Sequence, residues 1–106
     1  MKAIKNMLNN KALIRIEKIK PFYNICPVTK LEEEMNVKVI YQPNESVLEL
    51  ESYRKFFEKG FDCYVEEIAQ ETFNVIKEKI KPISLSVTVY MEEETLTPWS
   101  VEINSL

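Results

Sequence analysis

The feature that most restricts the fold is a long amphipathic stretch followed at once by strict alternation. Between residues 62 and 80, apolar side chains return every three or four positions, which predicts a helix with one buried face. Asp62 is the expected N-cap of this helix, and Pro82 ends it. Residues 83–91 then alternate apolar and polar side chains, as a half-buried strand does. The predicted helical face comprises Val65, Ile68, Ala69, Thr72, Phe73, Ile76 and Ile80.

Further segments complete a predicted α+β domain that spans residues 1–106. Residues 1–10 form a loose arm or a short first strand, and residues 48–59 form a helix closed by Gly60. Three more strands are predicted at residues 12–19 (ended by Pro21), 35–41 and 99–103, the last after a connection that includes residues 92–94 and Pro98. The predicted order of the main elements is strand, strand, helix, helix, strand, strand.

Such a sheet of four antiparallel strands, backed by two helices, leaves two exposed edges and one polar face. Natural proteins close exposed edges, and subunits that join edge to edge into a barrel achieve this. We therefore expect a homo-oligomer with its functional sites at subunit boundaries.

Composition excludes several classes of site. The chain has no histidine, so Ser-His and Cys-His dyads and histidine metal sites are ruled out. The single glycine rules out glycine-rich phosphate loops. The two cysteines are too few for a disulfide scaffold and lack zinc-type spacing, so no metal is expected. Acid–base chemistry must therefore come from carboxylates, lysines or tyrosines.

Charge and hydropathy bear on partners and location. The net charge is −3, yet residues 1–30 hold seven Lys or Arg against one acid, and residues 31–106 hold seven against sixteen. In one interpretation, the basic segment binds phosphates while the acidic remainder of the chain repels them. In an equally good interpretation, its lysines protect an exposed strand edge. The sequence has no run of eighteen apolar residues and no cleavable signal, so we expect a cytoplasmic protein with no membrane partner.

The segment Asn24-Ile25-Cys26-Pro27-Val28-Thr29-Lys30 joins a nucleophile to a rigid turn, and the acidic run Glu32-Glu33-Glu34 follows. A thiolate attacks carbon electrophiles, and a nearby carboxylic acid can protonate the atom that gains charge. Cys26 is the candidate nucleophile, with one residue of the acidic run as the acid. The alternative is a small buried thiol beside a solvated acidic loop, which on spacing alone is the more frequent case.

Glu66 is a second candidate, in the first turn of the long helix. It either stabilises the helix N-terminus or points into a pocket, where it accepts the N1–H and exocyclic amine of a guanine-like edge. Cys63 is either a buried thiol or a reversible redox partner of Cys26.

A combination of four features, between residues 26 and 89, resembles the QueF family. They are the run Cys26-Pro27-Val28-Thr29-Lys30, the turn after Tyr41, the stretch Glu49-Leu50-Glu51-Ser52-Tyr53-Arg54-Lys55-Phe56, and Glu66 sixteen residues before Pro82. The resemblance implies the tunnelling fold (T-fold), in which a ββααββ unit assembles into oligomeric barrels, and thus a pentamer or decamer.

The resemblance also implies roles for four residues. In the QueF family a cysteine attacks the nitrile of 7-cyano-7-deazaguanine to form a covalent thioimide, and the matching residue here is Cys26. The family's acid is an aspartate seven residues later, at the position of Glu33. The glutamate that holds the deazaguanine edge matches Glu66. The glutamate of the reductase motif matches Glu49, which the resemblance also implies to be a substrate-binding residue.

Three departures distinguish this sequence from the nitrile reductases of the family. Glu33 is longer than the family aspartate, and Val65 stands where reductases have a histidine. Glu51 and Arg54 replace two lysines that reductases associate with NADPH. An acid at position 51 would repel a cofactor phosphate.

These departures resemble the archaeal QueF-like branch, whose members add ammonia to the nitrile within tRNA and so form archaeosine. The resemblance thus implies a tRNA-modifying amidinotransferase with a Cys thioimide intermediate, with tRNA and ammonia as partners and no cofactor. Two alternatives are an NADPH-dependent 7-cyano-7-deazaguanine reductase and a non-catalytic T-fold paralogue that binds a purine-like ligand or another subunit.

Overall fold

The computed structural model of the chain describes residues 1–8, 12–92 and 99–105. Within them, two helices pack on antiparallel sheets, and the core lies between α2 and the larger sheet. The predicted connection through Pro98 lies largely outside the described residues. The elements are β1 (Ala3–Lys5), β2 (Ile14–Ile16), β3 (Phe22–Ile25), β4 (Glu32–Gln42), β5 (Ser46–Leu48), α1 (Leu50–Glu58), α2 (Val65–Ile80), β6 (Ser84–Met91) and β7 (Ser100–Asn104).

The larger sheet has five strands rather than the predicted four. Its order is β2-β4-β6-β7, and β3 pairs with the same edge of β4 as β2 does. Strand β2 lies opposite Val39–Tyr41, whereas β3 lies opposite Glu32–Met35. The single strand predicted over residues 12–19 is therefore wrong in extent: the edge is divided between two short strands.

The side chain of Asn36 fills the gap between β2 and β3. Its amide nitrogen donates to the carbonyl oxygen of Ile19 at 2.8 Å, and its Oδ1 accepts from the Ile19 N–H at 3.0 Å. The side chain thus replaces the backbone pairing that the interrupted edge lacks, and Asn36 is fully buried.

The first residues of the chain form a short strand, one of the two predicted alternatives. Strand β1 pairs antiparallel with β5 in a separate two-stranded sheet, with Ala3 opposite Leu48. Strand β5 was not predicted, because three residues between a turn and a helix carry almost no periodic signal.

Helix α2 buries the seven residues that the sequence pattern predicts for its inner face. It begins at Val65 with Tyr64 as an extended N-cap that makes no side-chain cap bond, so the prediction of Asp62 as N-cap is wrong. Residues 61–63 instead run alongside β3, which delays the start of the helix. The helix ends as predicted before Pro82, with Lys81 in the left-handed conformation.

Helix α1 covers Leu50–Glu58 rather than the predicted residues 48–59, because β5 extends to Leu48. Gly60 follows the C-cap residue Lys59, close to the predicted helix end, and has a φ of +70°. A Cβ at this position would lie 3.2 Å from the carbonyl oxygen of Tyr23 in β3. Gly60 therefore combines the left-handed backbone of a helix terminus with a close approach to the strand that leads to Cys26. In the described part of the chain, no helix combines the length and apolarity that crossing a bilayer requires.

Candidate active site

Cys26 lies at the end of β3, in a tight turn that leads into β4. Its N–H donates to the carbonyl oxygen of Leu31 at 2.9 Å, which continues the β3–β4 ladder by one residue. The N–H of Lys30 donates to the Cys26 carbonyl at 2.9 Å, and Lys30 has a φ of 62°. The backbone around the thiol is thus closed by hydrogen bonds on both sides of the turn.

The turn also stabilises the thiolate form of Cys26. The hydroxyl of Thr29 is the main group that lowers the pKa of the thiol, followed by the backbone N–H groups of Thr29 and Val28. Partial burial and the charge of Glu33 oppose this effect but do not cancel it. Hydrogen bonds to a charged sulfur favour its ionised form, and the thiolate is the nucleophilic species.

Glu33 lies on the same face of the sheet as Cys26. It stands directly opposite Asn24, two residues before Cys26, and side chains two residues apart on a strand share a face. The influence of the Glu33 charge on the thiol agrees with this proximity. Glu32 and Glu34 point to the other face by the same alternation, so the strand register singles out Glu33 among the three acids.

Asn24 connects this region to the segment before α2. Its amide nitrogen donates to Glu33 Oε1 at 3.1 Å and to the carbonyl oxygen of Cys63 at 2.8 Å. The N–H of Cys63 donates back to Asn24 Oδ1 at 3.2 Å. Parallel backbone bonds between β3 and Phe61 add to this junction. The first turn of α2 is therefore held close to the Cys26 turn.

Glu66 lies in that first turn, three residues after Cys63, with an exposed side chain. The junction between β3 and residues 61–63 brings its helix end to the side of the sheet where Cys26 lies. Its role in substrate binding stays a prediction.

The two thiols have opposite electrostatic environments. Burial is the main cause that raises the pKa of Cys63, and the neighbouring Glu67 raises it further by charge and by a hydrogen bond. Both cysteines are free thiols. At neutral pH, Cys26 therefore has the larger thiolate fraction of the two.

The carboxylate of Glu49 serves as the N-cap of α1. Its Oε2 accepts from the N–H of Glu51 at 2.6 Å, and its Oε1 accepts from the N–H of Ser52 at 3.0 Å. A capping carboxylate at this position stabilises the helix N-terminus. The predicted role of Glu49 in binding the substrate stays a prediction.

Glu51 and Arg54 bind each other on the surface of α1, and Arg54 also pairs with Glu58. The hydrogen bond from Arg54 lowers the pKa of Glu51. The positive charge of Arg54 is therefore balanced within its own helix by two carboxylates.

A cleft of about 390 Å³ opens between residues 20–23 and the last turns of α1. Cys26 and Glu33 do not line it. The cleft is lined by Lys20, Pro21, Phe22, Tyr23, Arg54, Phe57, Glu58, Lys59 and Gly60.

Within residues 1–8, 12–92 and 99–105, no group of three or more Cys, Asp or Glu side chains is arranged to hold a metal ion.

Two residues of the site have functions that the sequence did not reveal. The hydroxyl of Thr29 lowers the pKa of the Cys26 thiol, and the amide of Asn24 donates a hydrogen bond to Glu33. A polar residue two positions before the nucleophile, between Tyr23 and Ile25, was the available signal for Asn24.

Comparisons with known proteins give a curated relative and similar solved structures. No protein-family model matches the chain. The chain is 29% identical over 68 residues to the archaeosine synthase of Pyrobaculum calidifontis, and the match covers 62% of each protein. It therefore spans less than two thirds of that relative's length.

Solved structures give similarity over more of the chain. A crystal structure of the archaeosine synthase QueF-Like in the apo form superposes with a TM-score of 0.78 at 26% identity, covering 88% of this chain and 92% of that one. A Vibrio cholerae protein described as a dihydroneopterin aldolase (FolB) superposes with a TM-score of 0.68 at 11% identity, covering 89% and 96%. The second likeness shows the fold alone.

Proposed function

We propose, from the QueF-like family assignment that the sequence and structure comparisons support, that this chain is a tRNA-modifying enzyme of the archaeosine synthase type. More specifically, it is an amidinotransferase that converts 7-cyano-7-deazaguanine in tRNA to archaeosine with ammonia. The observation that carries the proposal is the Cys26 thiol, whose pKa is lowered by its own turn and which shares a sheet face with Glu33.

In the first step, the Cys26 thiolate attacks the nitrile carbon. The carbon–sulfur bond forms as one π bond of the nitrile breaks, and the nitrogen gains a negative charge. Glu33 in its acid form delivers a proton to that nitrogen, which yields a neutral thioimide and the Glu33 carboxylate.

In the second step, ammonia attacks the thioimide carbon. The resulting tetrahedral adduct loses a proton to the Glu33 carboxylate and then expels the Cys26 thiolate, which leaves an amidine on the base. The hydrogen bonds from Thr29 and Val28 that favour the thiolate also make it a better leaving group. No hydride donor or cofactor enters the balance of these steps.

Glu66 and Glu49 bind the base in this proposal. The exposed carboxylate of Glu66 accepts two N–H groups from the deazaguanine edge, a bidentate arrangement that favours this base over adenine-like edges. Lys and Arg residues of the first 30 positions contact the RNA backbone without reading its sequence. Subunits assemble into a homo-oligomeric barrel, a pentamer or decamer, with the sites at its boundaries.

The test is incubation of tRNA that carries 7-cyano-7-deazaguanine with ammonium and the protein, followed by nucleoside mass spectrometry. Wild type should produce archaeosine, Cys26→Ala should produce none, and Cys63→Ala is the matched control that should remain active. Archaeosine in equal amounts with and without the Cys26 thiol would contradict the proposal, as would none with wild type.

The nitrile reductase is the alternative reaction from the same intermediate. It requires NADPH binding, and the pairing of Arg54 with Glu51 and Glu58 leaves this helix surface poorly suited to a cofactor phosphate. We expect no sustained NADPH oxidation with the free nitrile base. Absence of any covalent adduct on Cys26 would instead favour a non-catalytic binding protein.

A further inference from the structure

The side chain of Asn24 is buried at the point where three parts of the site meet. It is 1% exposed, between β4 on one side and residues 61–63 on the other. Burial of an amide is unfavourable unless its hydrogen bonds are made, and here both ends of the amide bind partners. Its nitrogen donates to Glu33 Oε1 and to the Cys63 carbonyl, and its oxygen accepts from the Cys63 N–H.

The bond to Glu33 differs from the two bonds to Cys63. The pair of backbone bonds ties two chain segments together, which is a structural task. The bond to Glu33 instead ends on a half-buried carboxylate that lies on the same sheet face as Cys26. Pairing of β3 with β4 does not require it, since the backbone ladder continues on both sides of Asn24.

We propose that Asn24 is a positioning residue for proton transfer by Glu33, an inference that rests on the proposed function. The amide N–H binds Oε1, so a protonated Glu33 carries its proton on Oε2, because the carbonyl oxygen is the better acceptor of the two. The same bond restricts rotation of the carboxyl group. Asn24 therefore selects the oxygen that faces the nitrile nitrogen and holds it there, and general acids depend on such alignment.

The first experiment is a double-mutant cycle on the rate of Cys26 thioimide formation with free 7-cyano-7-deazaguanine, followed by intact-mass spectrometry. Asn24→Ala should slow the adduct about tenfold, as expected for a misaligned proton donor. In a Glu33→Gln background, which has no proton to deliver, the same change should cost almost nothing. An equal loss in both backgrounds would overturn the proposal, because a structural defect acts without regard to Glu33.

Asn36→Ala is the matched control. Asn36 is an equally buried amide on the strand that carries Glu33, and it binds the backbone of Ile19 instead of a carboxylate. Its loss should lower the thermal midpoint of unfolding, and any effect on the adduct rate should be the same in both Glu33 backgrounds. A background-dependent effect here too would remove the distinction on which the proposal depends.

A second variant keeps the size of the side chain and its acceptor for the Cys63 N–H. Asn24→Asp replaces the donor to Glu33 with a second carboxylate, and two adjacent carboxylates retain a shared proton to higher pH. The limb on which the adduct rate falls with rising pH should therefore move to higher pH. If the adduct rate of Asn24→Asp falls over the same pH range as that of the wild type, the positioning role is overturned. If the wild type forms no adduct, the proposed function itself is overturned.

Discussion

The hydroxyl of Thr29 is the main group that lowers the pKa of the Cys26 thiol, three residues earlier in the same turn. The turn is held by the bonds of Cys26 and Lys30 across its base. The groups that lower the pKa of the thiol thus all lie within three residues of Cys26. The chain has no histidine, so this lowering of the Cys26 pKa does not depend on an imidazole.

Thr29→Val removes the hydroxyl and retains the shape of the side chain. We expect the pKa of Cys26 to rise, because the largest group that lowers it is lost. The midpoint of alkylation by iodoacetamide should move to higher pH, and thioimide formation at neutral pH should slow several-fold. Thr88→Val, on the outer face of β6, is the control. An unchanged alkylation profile for Thr29→Val would show that the hydroxyl does not act on the sulfur.

The two cysteines should react in a fixed order. Hydrogen bonds lower the pKa of Cys26, whereas burial raises the pKa of Cys63. The thiolate of Cys26 therefore forms at lower pH than the thiolate of Cys63. Limited iodoacetamide at neutral pH, read by peptide mass spectrometry, should label Cys26 first. Raising the pH should narrow the difference in labelling between Cys26 and Cys63. Preferential labelling of Cys63 in the folded protein would contradict the electrostatic assignment.

Gly60→Ala should destabilise the protein by about 1–2 kcal/mol, as expected for a non-glycine residue in the left-handed region. The new Cβ would also approach the Tyr23 carbonyl at 3.2 Å. Chemical denaturation measures the change. Gly60→Asn is the comparison, because asparagine tolerates this backbone and should lose less than alanine. Equal stability of the Gly60→Ala variant and the wild type would exclude backbone strain at this position.

Tyr41 and Tyr53 are two buried tyrosines with different hydroxyl environments. The Tyr41 hydroxyl accepts from the Leu48 N–H at 3.0 Å, whereas the Tyr53 hydroxyl has no hydrogen-bond partner within the described residues. Tyr41→Phe should cost about 1–2 kcal/mol, because it leaves a buried N–H unpaired. Tyr53→Phe should be neutral or stabilising.

Urea unfolding of these two variants and wild type under one set of conditions measures the difference. Burial of the unpaired Tyr53 hydroxyl also raises its pKa, in agreement with an apolar setting. A larger loss for Tyr53→Phe than for Tyr41→Phe would reverse the expected order and indicate a partner for that hydroxyl.

Long periodic segments could be predicted from the sequence, whereas short elements could not. The inner face of α2 follows directly from the apolar spacing, and β6 follows from alternation over eight residues. Strand β3 has four residues between Pro21 and the Cys26-Pro27 turn, too few for a pattern to appear. Its existence depends on partners far along the chain, namely β4 and Phe61.

The candidate site shows the same division. Cys26 and its acidic neighbours could be chosen from the types of residue present, but which acid faces the thiol depends on the strand register. A shift of one residue would have exposed Glu32 or Glu34 to Cys26 in place of Glu33. The role of Asn24 was equally hidden, because it arises where β4 and residues 61–63 meet.

The parallel bridge between Asn24 and Phe61 also determines where a second chain can extend the sheet. With β3 already flanked on both sides, its backbone has little pairing capacity left for a neighbour. Along this side of the sheet, the open stretch in the described structure is β2, while β7 is open at the opposite side. If β7 of one copy pairs with β2 of the next, the sheet is therefore extended without any strand pairing across the Cys26 turn.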